Sequence, residues 1–200
     1  MPRSNRTLFT LFAGSGFAAL VYQVVWQRSL FAIYGINIEA VTVVVTAFML
    51  GLGLGSLAGG ALSKDPTRPA LRTFAGIEIA IGVFGFCSLA LFHTVGDATL
   101  QLSMVGTACV TFLLVLVPTL LMGATLPLLV AYRVRRSKNV GMSVGALYCI
   151  NTLGSALACF ATVLWMLPAL GQSGSVVLAG LLNVSVGIGA LLLHHTEVTT

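Results

Sequence analysis

The feature that most constrains this chain is a series of six apolar runs, each long enough to cross a lipid bilayer and joined by short links. A hydrocarbon core about 30 Å thick is spanned by a helix of roughly 20 apolar residues. The runs cover about 8–34, 38–62, 71–93, 100–132, 140–166 and 174–194, with links at 35–37, 63–70, 94–99, 133–139 and 167–173. Charged residues make up 8% of the chain and hydrophobic ones 58%, against roughly 25% charged in a soluble domain. Too few polar side chains exist to cover a soluble globule of this size, so that class is excluded. Short links make sequential helices antiparallel neighbours. The expectation is an all-α, polytopic membrane bundle of six transmembrane helices, forming a single domain over residues 1–200.

Charge orients the bundle. The net charge of +5 does not point to nucleic acid, because the cations fall in short clusters between apolar runs and not along one basic face. Arg3 and Arg6 precede the first run, Lys64, Arg68 and Arg72 follow the second, and Arg133, Arg135, Arg136 and Lys138 follow the fourth. Only Arg28 belongs near the opposite side. Under the positive-inside rule both termini are cytoplasmic. The competing reading of the first run as a cleaved signal peptide is disfavoured, because the run continues through Trp26 to Tyr34. Cys87, Cys109, Cys149 and Cys159 lie inside apolar runs without CxxC spacing or a neighbouring His, so they read as small buried residues rather than a metal site or disulfide framework.

Several runs carry packing devices. Gly51, Gly55 and Gly59 repeat every four residues and share one helix face, as do Gly141 and Gly145. Such faces let a neighbouring backbone approach closely, within the bundle as the favoured case or between chains. The fourth run contains Pro118 and Pro127, each of which removes a donor and frees a carbonyl one turn earlier. Thr119 and Thr125 are near enough to help satisfy those carbonyls. Two readings stand: a broken helix facing a cavity, or a kink that serves packing. The first and fourth runs exceed the length the bilayer needs, which implies tilt or bending.

Polar groups at membrane depth are the site candidates. Glu78, in GIEIAIG, lies about 10 Å into the third run at 1.5 Å per residue, where an acid costs about 3 kcal/mol to insert. It is either a proton- or cation-binding carboxylate or a structural one bonded to a neighbouring helix or to an arginine of the cytoplasmic loop. Tyr22 and Trp26, and Gln23 and Gln27, each stand one turn apart on the first run, with Arg28 beyond them. An interfacial aromatic belt with Arg28 paired to Glu39 accounts for part of this face, but not for the deeper Gln23. Tyr148, Asn151 and Thr152 project to one side of the fifth run, as helix-to-helix glue or as ligand contacts, and Asn183 is a solitary case in the sixth. No GxGxxG joins a strand to a helix, no nucleophile–base set is present, and His93, His194 and His195 stand at run ends without ligand spacing. No catalytic residues, metal or cofactor are therefore expected.

The motifs SGFAALVYQVVWQRSL (15–30), AFMLGLGLGSLAGG (47–60), GIEIAIG (76–82), PTLLMGATLPLL (118–129) and GALYCINTLGSALACF (145–160) resemble the membrane domain of spermidine-synthase-like bacterial multi-pass proteins. In that family the domain usually precedes a soluble Rossmann-type aminopropyltransferase-like domain. The resemblance implies a bacterial inner-membrane location and a helix arrangement like that of major-facilitator (MFS) transporters. The segment 55–72 also looks like the loop after the second helix of those transporters, and six spans equal half of one. No residues of a soluble enzyme domain are recognised after the sixth run, which leads to the expectation that the chain is not an enzyme. The first functional reading is a non-catalytic membrane module that docks with or stabilises a partner, either another membrane protein or a second copy. The alternative is a half-size, dimeric transporter or cation-binding unit built around Glu78 with Gln23, Tyr148 and Asn151. An intramembrane enzyme ranks last.

Overall fold

The computed structural model describes residues 3–34, 38–65, 69–99 and 101–199. Arg68 and the side chains of Arg3 and Glu39 lie outside the described residues, and the expected Arg28–Glu39 pair with them. All regular structure among the described residues is helical. α1 spans Arg3–Tyr34, α2 Ile38–Leu62, α3 Ala70–Ala98 and α4 Met104–Ser137. α5 (Val140–Ala161) runs through a π-helical stretch, Thr162–Met166, directly into α6 (Leu167–Thr199).

The chain becomes helical for the reason lipid imposes. Val41–Thr46 is rich in β-branched residues that favour strands in water. In a hydrocarbon core only a helix satisfies every backbone N–H and C=O within one segment. The α4–α5 corner is set by local chemistry: Lys138 turns left-handed at φ 55° and Asn139 caps α5, its Oδ1 accepting from Met142 N–H at 2.9 Å.

Among the described residues, five helical stretches are long and apolar enough to cross a membrane: Asn5–Ala32, Val41–Leu62, Ala70–Ala98, Val105–Ser137 and Val140–Thr196. This differs from the six separate helices expected. The link 167–173 carries no charge, and helical hydrogen bonding continues through it, so the fifth and sixth runs join. The joined run is not straight. Gly171 sits at φ 67°, ψ −172°, a conformation that only glycine adopts freely. In a straight helix Gly154 and Leu182 would stand about 42 Å apart. Instead both lie against the same turn of α1: Gly154 packs on Ala13, and Gly14 packs on Leu182 and Val186. The run therefore folds back on itself around Gly171.

α4 passes through Pro118 and Pro127 as one continuous helix, so of the two readings the broken helix does not hold. The prolines free the carbonyls of Leu114 and Gly123. Thr119 Oγ1 instead lies 2.9 Å from Leu116 O, 3.0 Å from Val115 O and 3.2 Å from Ala47 O on α2, and Thr125 donates to Met122 O at 2.7 Å. What holds α4 is α2. Gly51 faces Thr119, Gly55 faces the Leu120 carbonyl, and Gly59 faces Ala124, so the two backbones touch along three turns. Gly145 has open space where a side chain would project, and Gly141 meets only Asn139 of its own turn. The second glycine pair thus makes no helix contact among the described residues.

Two layers of core run through the bundle. One joins Leu8 and Phe12 of α1, Leu71 and Phe74 of α3, Leu129 of α4, Leu147 of α5 and Val186 to Leu193 of α6. The other joins Val25 to Leu30 of α1 with Phe48, Phe92, Val115, Ala158 and Met166. The first layer marks the basic end of the molecule. There the Arg133 guanidinium lies 4.5 Å over the Phe9 ring, and Arg135 donates to Ser63 O at 2.9 Å and Asp65 O at 3.4 Å. All four cysteines face outward, which corrects their reading as buried. Lipid is as apolar as a protein interior, so a thiol in an apolar run gains little by pointing inward.

A buried carboxylate cluster as candidate functional site

On α3, Glu78, Gly82 and Gly85 recur at i, i+4 and i+7 and share one face. The glycines admit two neighbours along that face. A Cβ on Gly82 would lie 2.9 Å from Gly180 O and 3.3 Å from Asn183 Cβ of α6, and one on Gly85 would strike the Tyr22 hydroxyl of α1. Glu78 is fully buried at their junction. Ser15 Oγ of α1 donates to Glu78 Oε1 at 2.5 Å, and Asn183 Nδ2 donates to Glu78 Oε2 at 2.6 Å. A single carboxyl group therefore ties three helices together through two short hydrogen bonds.

An aromatic layer lies immediately beyond. Tyr22 stacks on Trp26 with ring centroids 4.8 Å apart and an interplanar angle of 24°. The edges of Phe84 and Phe92 close on Trp26 at 5.6 and 5.7 Å. Trp26 Nε1 donates to Ser88 Oγ at 2.9 Å, and Ser88 in turn donates to Gly85 O at 2.8 Å. Every polar atom of this layer is satisfied except the Tyr22 hydroxyl. In the carboxylate cluster the exception is Asn183 Oδ1. Both atoms are buried without a hydrogen-bond partner, an arrangement that costs roughly 1–3 kcal/mol per group.

The structure groups the expected site residues differently. Glu78 and Tyr22 belong to one face, whereas Tyr148 is 60% exposed on the outer side of α5. Asn151 is half-buried against Gly16, one turn from Ser155, whose hydroxyl donates to Gly16 O at 3.0 Å. Gln23 is half-buried, one residue round α1 from Tyr22. Arg28 is exposed and lines a separate cleft of about 350 Å³ with Gln172 and Gly171. The cleft beside Arg28 is lined by none of Glu78, Gln23, Tyr148 and Asn151. The partners that sequence reasoning missed are Ser15 and Ser88, and the available signal was spacing. Ser15 stands seven residues before Tyr22, hence two turns away on the same face of α1.

No family model matches the chain. The chain is 26% identical over 170 residues to polyamine aminopropyltransferase 1 of Streptomyces coelicolor, covering 84% of this chain and 30% of that protein. Similarity to the polyamine aminopropyltransferase of Mycobacterium tuberculosis is 25% over 206 residues, 96% of this chain and 37% of the relative. Polyamine aminopropyltransferase 2 of S. coelicolor is 29% identical over 180 residues, 86% of this chain and 31% of its own length. The chain thus spans about a third of the curated relatives it matches. No solved structure matches, so the half-transporter arrangement gains no support. The expectation that the chain is not an enzyme is overturned, since these relatives carry an enzyme's name. Two hundred residues without a nucleophile–base set say nothing about the chemistry of proteins about three times longer. The chain is similar, over most of its length, to polyamine aminopropyltransferases.

Proposed function

We propose that this chain is the membrane-embedded module of a polyamine-aminopropyltransferase-like protein. It holds that protein at the bacterial cytoplasmic membrane and docks with a partner there. One observation carries the reading: the same residues that match enzymes named for polyamine aminopropyl transfer fold as five long apolar helices. A second supports the topology. The reversal at Gly171 supports a reading in which the joined run crosses twice, for six crossings with Asn5 and Thr196 toward one face. The basic end, with Arg133, Arg135 and Arg136, is then the cytoplasmic end. Docking is supported by the outer face of α5, where Gly145, Tyr148 and Thr152 lie exposed. Small and polar residues on an outward transmembrane face favour a second helix over lipid tails.

The test is capture in mild detergent. A tagged chain expressed in an aminopropyltransferase-containing bacterium stays in the membrane after alkaline carbonate washing. It retains an aminopropyltransferase-related protein or a second tagged copy in stoichiometric amount, and Gly145→Leu weakens that retention. Release by carbonate, or a chain that purifies alone as a monomer, refutes the reading.

A further inference from the structure

The elbow at Gly171 borders a cleft of about 350 Å³, lined by Arg28 of α1, Val163 of the π-helical stretch, Leu167, Pro168, Gly171 and Gln172. That volume lies within the roughly 300–1,000 Å³ of small-molecule sites. Local chemistry opens the chain here. Leu167 N–H reaches back to Thr162 O, a π-helical bond that makes the turn wider than an α-turn. Pro168 has no N–H with which to continue the ladder, and Gly171 at φ 67° swings the chain round.

The lining divides by chemistry. Val163, Leu167 and Pro168 are apolar, whereas Arg28 and Gln172 carry the side-chain N–H donors, and the lining holds no carboxylate. Among the described residues neither donor has a hydrogen-bond or ion-pair partner. Depth indicates what meets them. Arg6 stands at the basic end, close in sequence to Phe9 beneath the Arg133 guanidinium. Arg28 lies roughly 33 Å further along α1 at 1.5 Å per residue, and the hydrocarbon core is about 30 Å thick. The cleft is then level with the opposite headgroup layer, where phosphate esters stand above acyl chains. A guanidinium offers a planar fork that matches two phosphate oxygens, and an amide N–H adds a further donor. The apolar wall suits glycerol and the first acyl carbons.

We propose that this cleft binds the phosphate headgroup of one anionic phospholipid, with Arg28 and Gln172 as donors to the phosphate. The inference rests on the membrane placement proposed above and on no docking partner. A zwitterionic lipid adds an ammonium that the lone guanidinium repels, so the site favours a headgroup of net negative charge.

The experiment uses the 200-residue chain taken from carbonate-washed membranes into mild detergent. Native mass spectrometry counts the phospholipids it retains. The parent chain keeps one more phosphatidylglycerol than Arg28→Gln at the same lipid concentration. Val163→Trp, at a 52% exposed position that accommodates a larger side chain, fills the cleft without touching a charge and loses the same lipid. Phosphatidylcholine is retained equally by all three chains. Soluble glycerol phosphate at the lipid's concentration leaves the phosphatidylglycerol in place, which separates a lipid headgroup from a free phosphate ester. An unchanged phosphatidylglycerol count in Arg28→Gln or Val163→Trp, a matching loss of phosphatidylcholine, or displacement by glycerol phosphate overturns the proposal. Release of the chain by carbonate overturns the membrane placement and this site with it.

Discussion

Adding one methyl group to the α2–α4 contact tests how the bundle is held. A Cβ on Gly59 would lie 2.5 Å from Ala124 O and 2.7 Å from Ala124 Cα, where ordinary contact begins at 3.4 Å. The obstruction is backbone, so no rotamer change relieves it. The helices must separate by roughly 0.9 Å, and a gap of that order forfeits a quarter to a half of the dispersion energy along the crossing. Overpacking of this kind costs about 1–3 kcal/mol. Replacing glycine by alanine within a helix gains up to about 1 kcal/mol, which offsets part of it. Gly59→Ala is therefore expected to be net destabilising by about 1–2 kcal/mol. Gly53, on the same helix but with nothing within 4 Å, is the internal control. Gly53→Ala is expected to be neutral or slightly stabilising. Thermal unfolding of both variants in one detergent gives the comparison. Equal stability of the two would refute the claim that backbone contact holds this pair.

Further expectations follow from individual side chains. Trp26→Phe removes the bond to Ser88 and should lower stability by about 1–3 kcal/mol in the same melting assay, whereas Trp165→Phe, at a 59% exposed position, should change it little. Brominated lipids should quench the fluorescence of Trp165 in the Trp26→Phe chain and spare Trp26 in the Trp165→Phe chain; equal quenching contradicts the burial described. Gly171→Ala places a side chain at a left-handed φ and should cost about 1–2 kcal/mol, read as a drop in melting temperature. Tyr22→Phe should be at least as stable as the parent chain, because the deleted hydroxyl has no partner; a marked loss of stability would show a missed bond.

Much of the architecture was legible because lipid leaves few options. The apolar runs located the helices to within a few residues at most ends, and the four-residue glycine period on α2 anticipated a close crossing there. The link at 167–173 was harder to read. It contains Pro168 and Gly171 but no charge, so nothing in the local pattern separates a helical elbow from an ordinary loop. The prolines of α4 left two readings open for a related reason: their disruption is local, while the bracing from α2 comes from residues 60 or more positions away. Depth marked Glu78 as a site candidate, but depth does not reveal facing. Asn183 and Ser15 became its partners only once α1, α3 and α6 were packed, whereas Tyr148 turned outward. Pairwise side-chain contact across three helices is a property of helix rotation, which hydropathy alone leaves undetermined.

The central claim is that the last 57-residue helical run doubles back at Gly171, bringing both chain ends to the basic face. Single cysteines introduced at Asn5, Gln172 and Thr196, in a chain whose own four cysteines are replaced, test it by labelling with a membrane-impermeant thiol reagent in oriented vesicles. The account predicts that positions 5 and 196 label from one side and position 172 from the other. Labelling of 5 and 196 from opposite sides contradicts it.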